Sequence, residues 1–362
     1  MRIAIDGKYA AVPKTGVQRY AAEIAPRLIA LAPERYEVLA PGWADAGSTA
    51  TGRTRQLLRW CNNVWEQGWL PLRTILGRYD LLYCPGNMAP ALSDRAVVVL
   101  HDAIPLVHPY WFSNAFARWA RVMLPRAAHR ARWVITDSHA SRVALLNLFP
   151  FLEGRLSVVY PGIGEQFRPA HPDEIAAVRA RYGIQRPYLL FLSTLDPRKN
   201  LHRVLAAWRT VASQVPGAEL VISGMSSEVF SGSSARARTL SGVAGVRWLG
   251  FVPDAHLPAL LSGSEAMVYA SLDEGFGFPP LESMACGRPA IVSTAGSLPE
   301  VCGEAALYVD PEREDSIAEG MLKALRQPDL LAPLIAPGRD RARRFTWTAA
   351  AAATDAILAR VV

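Results

Sequence analysis

The sequence predicts an α/β chain of two doubly wound, Rossmann-like domains facing a cleft. Two observations carry this prediction. Short, continuous apolar runs alternate with stretches of helical periodicity, and the alternation runs through twice, with a Gly- and Pro-rich break near residue 165. Runs of this kind suit parallel strands covered by helices on both faces, and their alternation with helices in two sets implies two doubly wound domains. The 362 residues are enough for two or three domains with a sizeable core.

The first half opens on RIAID, a short buried run, followed by a loop holding Thr15 and Gly16. Val17–Leu31 then places Tyr20, Ile24, Leu28 and Leu31 at helical spacing. EVLAP, DLLYCP, RAVVVLHD and RWVITDS are the next strand candidates, and Ser138 after the last of them reads as a helix N-cap. LSVVYPGIGEQFRPAHP, with two Gly and three Pro, is the linker candidate, which divides the chain into 1–165 and 166–345. The second half restarts with PYLLFLSTL, a helix over Asn200–Val215, ELVISG, VRWLGFV, a helix over Asp254–Ser262, EAMVYAS, a helix around Pro280–Gly287, PAIVST and AALYVDP. The Ser/Gly-rich stretch 225–245 reads as a mobile loop.

Composition narrows the class. The chain is 51% apolar and 20% charged, with 26 Gly and 27 Pro, which is globular and loop-punctuated rather than disordered. The N-terminus starts directly as a strand without the pattern of a signal peptide, and no apolar run is long enough to span a bilayer. Cys61, Cys84, Cys286 and Cys302 have neither CxxC nor zinc-like spacing, so reduced thiols in a cytoplasm are expected. The charge of +7 lies entirely in residues 1–165, with 19 basic against 12 acidic side chains, while 166–362 has 20 of each. Two stretches concentrate it: 46–79 has five Arg against Glu66 alone, and 103–136 has five Arg and no acid. Trp60, Trp65 and Trp69 interleave the first, and Trp111, Phe112, Phe116, Trp119 and Trp133 the second. Such stretches suit an anionic membrane surface. Equally, the aromatics could be core and the Arg could face solvent. No recognition motif supports nucleic-acid binding.

In open α/β sheets, ligands sit outside the carboxyl ends of strands, so polar residues directly after strands are the site candidates. Glu274-Gly-Phe-Gly-Phe-Pro-Pro-Leu-Glu282 follows EAMVYAS. Gly275 and Gly277 allow close backbone approach, Pro279 or Pro280 fits a first helical turn, and the free amides there suit an anion. Glu282 is expected in or near that first turn and Glu274 in the loop before it, where both could accept hydrogen bonds from sugar hydroxyls; either could instead cap the helix. Asp196-Pro-Arg198-Lys199-Asn200 follows PYLLFLSTL, and its two adjacent cations could clamp a diphosphate, although charges on such a loop are usually only solvated. His101-Asp102 ends RAVVVLHD; the His could donate to a hydroxyl with Asp102 orienting it, or be a satisfied structural residue. The Gly16 loop could meet phosphate at a helix start. There is no Asp-x-Asp, metal-spaced cluster, G-x-S-x-G or Walker loop.

Together these pieces resemble glycosyltransferase family four, retaining enzymes of the GT-B fold, and closest in style bacterial mannosyl- and rhamnosyltransferases. The resemblance covers nearly the whole chain and is most specific at Glu274–Glu282, at Arg198-Lys199-Asn200 and at SLPEVCGEAALYVDP over 297–311. It implies that residues 346–362 form a terminal helix returning to the first domain. It implies that Arg198 and Lys199 bind the donor diphosphate, that Glu282 meets the ribose, and that Glu274 meets the sugar beside the backbone of Gly275, Phe276, Gly277 and Phe278. His101 would lie near the reacting face of the sugar, Gly16 would face the diphosphate, and the base would rest near Phe251, Val252 and Pro253.

The function expected on this basis is transfer of a hexose, mannose favoured, from a nucleotide-diphosphate sugar such as GDP-mannose to a lipid-linked or polysaccharide acceptor in bacterial surface glycan synthesis. No metal or other cofactor is expected, nor a nucleic-acid partner, and the location implied is cytoplasmic, peripheral on the inner face of the plasma membrane. The alternatives are a nucleotide-sugar epimerase on the same fold and a non-catalytic membrane-associated partner. The second should have lost the Glu pair or the Arg-Lys pair, which this chain retains. A nicotinamide dehydrogenase is disfavoured because the first strand lacks the glycine fingerprint.

Overall fold

The structure, a computed structural model, describes residues 1–11, 16–43, 57, 61–91, 93–224 and 242–362. They form two compact units: Met1–Leu106 with Arg118–Gly162 and Thr346–Val362, and Val107–Ala117 with Ile163–Phe345. This partition differs from a single cut at 165 in the segment Val107–Ala117, which groups with the second unit, where His108 Nε2 lies 3.6 Å from Asp273 Oδ2.

The first unit holds a six-stranded, all-parallel sheet in the order β2-β1-β3-β4-β5-β6. Its strands are β1 (Ile3–Asp6), β2 (Tyr36–Leu39), β3 (Leu81–Cys84), β4 (Ala96–Val99), β5 (Trp133–Thr136) and β6 (Leu156–Val158). The central strands β1, β3 and β4 are buried along their whole length, which is why they appear in the sequence as unbroken apolar runs. The Gly16–Leu31 helix buries Tyr20, Ile24 and Leu28 on one stripe, whereas Leu31 is exposed. Ser138 caps the His139–Leu148 helix, its hydroxyl accepting from Ser141 N at 3.0 Å. The Trp347–Val361 helix packs on the Gly16–Leu31 helix, with Trp347 edge-on to Tyr20 at 5.5 Å between centroids.

In the second unit the strands are β7 (Tyr188–Leu192), β8 (Glu219–Ser223), β9 (Val246–Gly250), β10 (Ala266–Tyr269), β11 (Ala290–Ser293) and β12 (Leu307–Val309). They form a second parallel sheet in the order β12-β11-β10-β7-β8-β9. Period-two alternation divides its side chains between two cores. Tyr188, Leu190, Met267 and Tyr269 enter one, and Leu189, Phe191, Ala266 and Val268 the other. The chain moves outward from β7 through β8 to β9, then returns to β10 on the opposite flank. The order therefore reverses between β7 and β10, and the carboxyl side of such a switch point is where open α/β sheets bind ligands. The α/β class and doubly wound architecture expected from the sequence are present in both units.

The two basic, aromatic stretches separate in structure. In 103–136, Trp111 and Phe112 are buried, Phe116, Trp119 and Trp133 are half-buried, and Arg118, Arg121, Arg126, Arg130 and Arg132 are exposed together with Val107, Tyr110 and Val122. In 46–79 the described part keeps Trp65 buried but leaves Trp69 55% exposed. Trp60 and most of the Ser/Gly-rich stretch 225–245 lie outside the described residues, as do Lys14 and Thr15. Among the described residues, no helix is long and apolar enough to cross a membrane.

Candidate active site

The second sheet places the Arg-Lys turn and the first Glu of the E-x7-E segment on its two central strands. After β7 the chain makes a single tight turn, Pro197–Lys199, with Asp196 before it and Asn200 after it in the left-handed conformation at φ 61°. Asn200 fixes that turn: its amide donates to Ala270 O at 2.9 Å and Pro311 O at 2.6 Å, tying it to the loops after β10 and β12. The Leu201–Gln214 helix follows, buried through Leu201, Val204, Leu205, Trp208 and Val211. After β10, Leu272 N donates to Arg198 O at 2.7 Å, joining the two loops directly.

Lys199 is not a solvated loop charge. It is buried, and Nζ donates to Tyr269 Oη and to Glu274 Oε1, each at 2.5 Å. Arg198 reaches the other oxygen of the same carboxylate, Nη1 to Oε2 at 3.4 Å, and its Nε lies 3.3 Å from Asp196 Oδ1. Burial pushes the Lys199 ammonium below its ordinary range, Arg198 pushes it further, and Glu274 with Asp196 opposes both. Burial works against ionisation of Glu274 too, but the two cations outweigh it and hold the carboxyl below its ordinary value. Tyr269, buried beside that carboxylate, is raised well above its usual range and stays a neutral phenol. The result is a buried ammonium and a partly exposed guanidinium, both held in place by fixed carboxylates.

The Gly-Phe-Gly loop is held from behind. Ser297 Oγ lies 3.0 Å from Glu274 O and 2.8 Å from Phe276 O, its one hydroxyl proton shared between the two carbonyls. Gly277 has φ 100°, and a Cβ there would lie 2.6 Å from Leu298 Cδ2, so the position requires glycine on both counts. Gly277 also caps the Phe278–Ala285 helix, whose start carries Pro279 and Pro280. Glu282 is buried on this helix as its fifth residue, next to the first turn as expected. Val252 belongs to the core, and Phe251 beside it is 65% exposed.

Two expected residues, His101 and Gly16, fall in the first unit. Gly16 is the exposed first residue of the Gly16–Leu31 helix. His101 is buried beyond the end of β4, with Nδ1 2.7 Å from Asp137 Oδ2 and Nε2 3.1 Å from Pro85 O. Burial disfavours its charge, but Asp137 outweighs that and raises the imidazole above its ordinary value. The orienting carboxylate is therefore Asp137 after β5, not Asp102, whose Oδ1 accepts from Ile104 N at 3.0 Å. Sequence reasoning passed over Asp137, although the rule that located His101, a polar residue directly after a strand, applies to it equally. It also passed over Tyr269, which nothing in EAMVYAS distinguishes from core. Among the described residues, no group of three or more His, Cys, Asp or Glu could hold a metal ion.

Comparison with known proteins gives this geometry its family. Residues 14–167 match the family described as Glycosyltransferase Family 4, and residues 175–341 match Glycosyl transferases group 1. O-antigen chain mannosyltransferase B of Escherichia coli is 31% identical over 268 residues, covering 73% of this chain and 70% of that protein. The chain belongs to glycosyltransferase family 4. This glycosyltransferase is also 26% identical over 262 residues to serotype-specific mannosyltransferase WbdA of Escherichia coli; the match covers 70% of the chain but only 32% of that longer protein. Its fold matches Anabaena Alr3699/HepE in complex with UDP-glucose, with a TM-score of 0.75 at 19% identity, covering 99% of this chain and all of the other.

Proposed function

We propose that this glycosyltransferase moves a mannosyl group from GDP-mannose to a lipid-linked or polysaccharide acceptor in bacterial surface glycan synthesis, with retention at the anomeric carbon and without a metal ion. The observation that carries the reading is buried Lys199 with partly exposed Arg198 beside it at the strand-order reversal, both braced by Glu274. Breaking the bond between the anomeric carbon and the donor phosphate leaves negative charge on the departing diphosphate and positive charge on the sugar ring. Cations already held in place stabilise the leaving group without reorganising as the charge develops. An ammonium has three donors; Tyr269 and Glu274 take two of Lys199's, and the third serves a phosphate oxygen. Arg198 offers a fork to the same group. Glu274 meets hydroxyls of the sugar, Glu282 the ribose, and the amides at the start of the Phe278–Ala285 helix add to the anion site.

For retention, the acceptor hydroxyl attacks on the face the diphosphate leaves. The new bond joins the acceptor oxygen to the anomeric carbon, and the acceptor proton passes to the departing phosphate oxygen. This route needs no enzymic nucleophile. The names of the mannosyltransferase relatives support the sugar and the surface glycan, and the basic first half of the chain supports peripheral placement at an anionic membrane.

A thermal-shift panel with GDP, UDP, dTDP and NAD tests the donor class, because a ligand that binds only the folded state raises its stability. A shift with GDP, followed by transfer from GDP-mannose to give an axial product linkage by NMR, is the expected result. A shift with NAD alone, an inverted linkage, or conversion of the sugar nucleotide without any acceptor would each overturn the proposal.

A further inference from the structure

Glu274 and its neighbour Asp273 send their side chains different ways. Glu274 is buried against Lys199, whereas the Asp273 side chain is 26% exposed and faces His108, with Oδ2 3.6 Å from Nε2. Asp273 is held where it stands. The Glu274 backbone amide hydrogen-bonds its carboxyl, and Gly296, at φ 56°, lies so close that a Cβ there would come within 2.6 Å of Oδ1 and of the Glu274 backbone. His108 is held as well: its ring centroid lies 4.2 Å from that of buried Trp111, and Nδ1 lies 3.0 Å from Tyr110 Oη. Tyr110 itself is 66% exposed, and among the described residues of the second unit Phe251 is the one aromatic of comparable exposure.

These three neighbours offer three different things to a ligand. Asp273 accepts, the His108 Nε2–H that faces it donates, and Tyr110 supplies an exposed ring. At 3.6 Å the carboxylate and the imidazole are too far apart for a direct hydrogen bond. A hydroxyl between them can donate to Asp273 and accept from His108, which satisfies both. A phosphodiester oxygen has no proton to donate and is repelled by the carboxylate. An alkyl chain would leave both polar groups unpaired. A ring with hydroxyls on its edge and an apolar face for Tyr110 is the chemistry of a sugar. Because Glu274 turns the other way, onto the cation that serves the donor, the sugar at Asp273 is a second one.

We propose that Asp273, His108 and Tyr110 bind the terminal sugar of the acceptor, with one of its hydroxyls between Asp273 and His108 and its ring on Tyr110. This rests on the transferase reading above and adds to it what the acceptor presents at the point of attachment: a neutral, hydroxyl-bearing ring and not the lipid phosphate.

Saturation-transfer NMR on the intact chain, with GDP at saturation, reads this binding directly. The probes are methyl α-mannoside, methyl α-rhamnoside and methyl β-N-acetylglucosaminide, of which at least one should bind. Tyr110→Ala should weaken that glycoside about tenfold or more, and so should Asp273→Asn, which puts a donor where an acceptor stood. Tyr110→Phe keeps the ring and should stay within about threefold of the wild type. A chain that GDP stabilises but that binds none of the three glycosides loses this proposal and keeps the donor reading, whereas a chain stabilised by none of GDP, UDP or dTDP loses both. Undiminished glycoside binding in either Tyr110→Ala or Asp273→Asn would overturn the proposal. So would weaker binding of GDP-mannose with glycoside binding unaltered, which would give the three residues to the donor sugar instead. Urea midpoints identify any loss that is one of folding, and Asp273→Asn, isosteric with the wild type, keeps the test decisive.

Discussion

The Lys199 ammonium and the Glu274 carboxylate meet at 2.5 Å, both buried, from loops 75 residues apart in sequence. Each is costly without the other, and the Arg198 guanidinium is close enough to share the same carboxylate. Taking one partner from a buried pair leaves an uncompensated charge, at about 3–5 kcal/mol. Lys199→Ala should therefore lower the urea midpoint, and adding Glu274→Gln should recover part of the loss. Transfer should behave differently. It should fall about 100- to 1,000-fold in Lys199→Ala and remain lost in the double variant. Recovery of activity together with stability would mean that Lys199 serves only the fold.

Tyr269 gives a finer test of the same cluster. Its hydroxyl accepts from Lys199 and its ring lies 4.8 Å from the ammonium, so Tyr269→Phe keeps the ring contact and removes the acceptor. A hydrogen bond to a charged group contributes about 1.5–3 kcal/mol. The variant should remain folded with a lower midpoint, and should lose transfer about tenfold through a less well-positioned cation. A change in KM alone would argue that the hydroxyl acts on substrate binding and not on the departing charge.

The His101–Asp137 pair makes stability depend on pH in a defined direction. The folded-state value of His101 is raised above its ordinary 6.5, so the pair's contribution is fully present below 6.5 and is lost as pH rises through the raised value. Urea midpoints of the wild type should therefore decline in that window, and Asp137→Asn should flatten the decline. A midpoint that rose there, or an unaltered slope in the variant, would count against an imidazolium held by Asp137.

Gly277→Ala meets both a left-handed φ of 100° and Leu298 at 2.6 Å, so it should destabilise the second unit by about 1–3 kcal/mol. Leu298→Ala should relieve the steric part but not the conformational part, leaving the double variant short of the sum of the two losses. Additive losses would show that the two side chains do not meet. Nucleotide affinity, followed by thermal shift, should fall in Gly277→Ala because this residue sets the start of the Phe278–Ala285 helix.

Much of the fold was legible because local pattern and tertiary role agree. The apolar run in RIAID, the helical spacing of Tyr20, Ile24 and Leu28, and Ser138 before its helix need no distant information. Lys199 is the opposite case. Two adjacent cations after a strand look solvated, and what buries Lys199 is a carboxylate 75 residues on. His101 misled for a related reason: Asp102 adjoins it in sequence, but that side chain turns back to Ile104 N, and the imidazole pairs with an acid 36 residues away just after the next strand.

The discontinuity of the first unit bears on how the chain is made. Residues 1–162 leave the ribosome first, yet the strip that covers Tyr20, Thr346–Val362, is synthesised only after the whole of Ile163–Phe345. Vectorial synthesis ordinarily lets the N-terminal domain finish first. Here the nascent first half must wait with an apolar flank bare while the second unit, Ile163–Phe345 with the earlier-made Val107–Ala117, can close around its own core. The Trp347–Val361 helix, with buried Trp347, Leu358 and Val361, reaches the first unit only after the second has been made, so the half translated first is completed after the other.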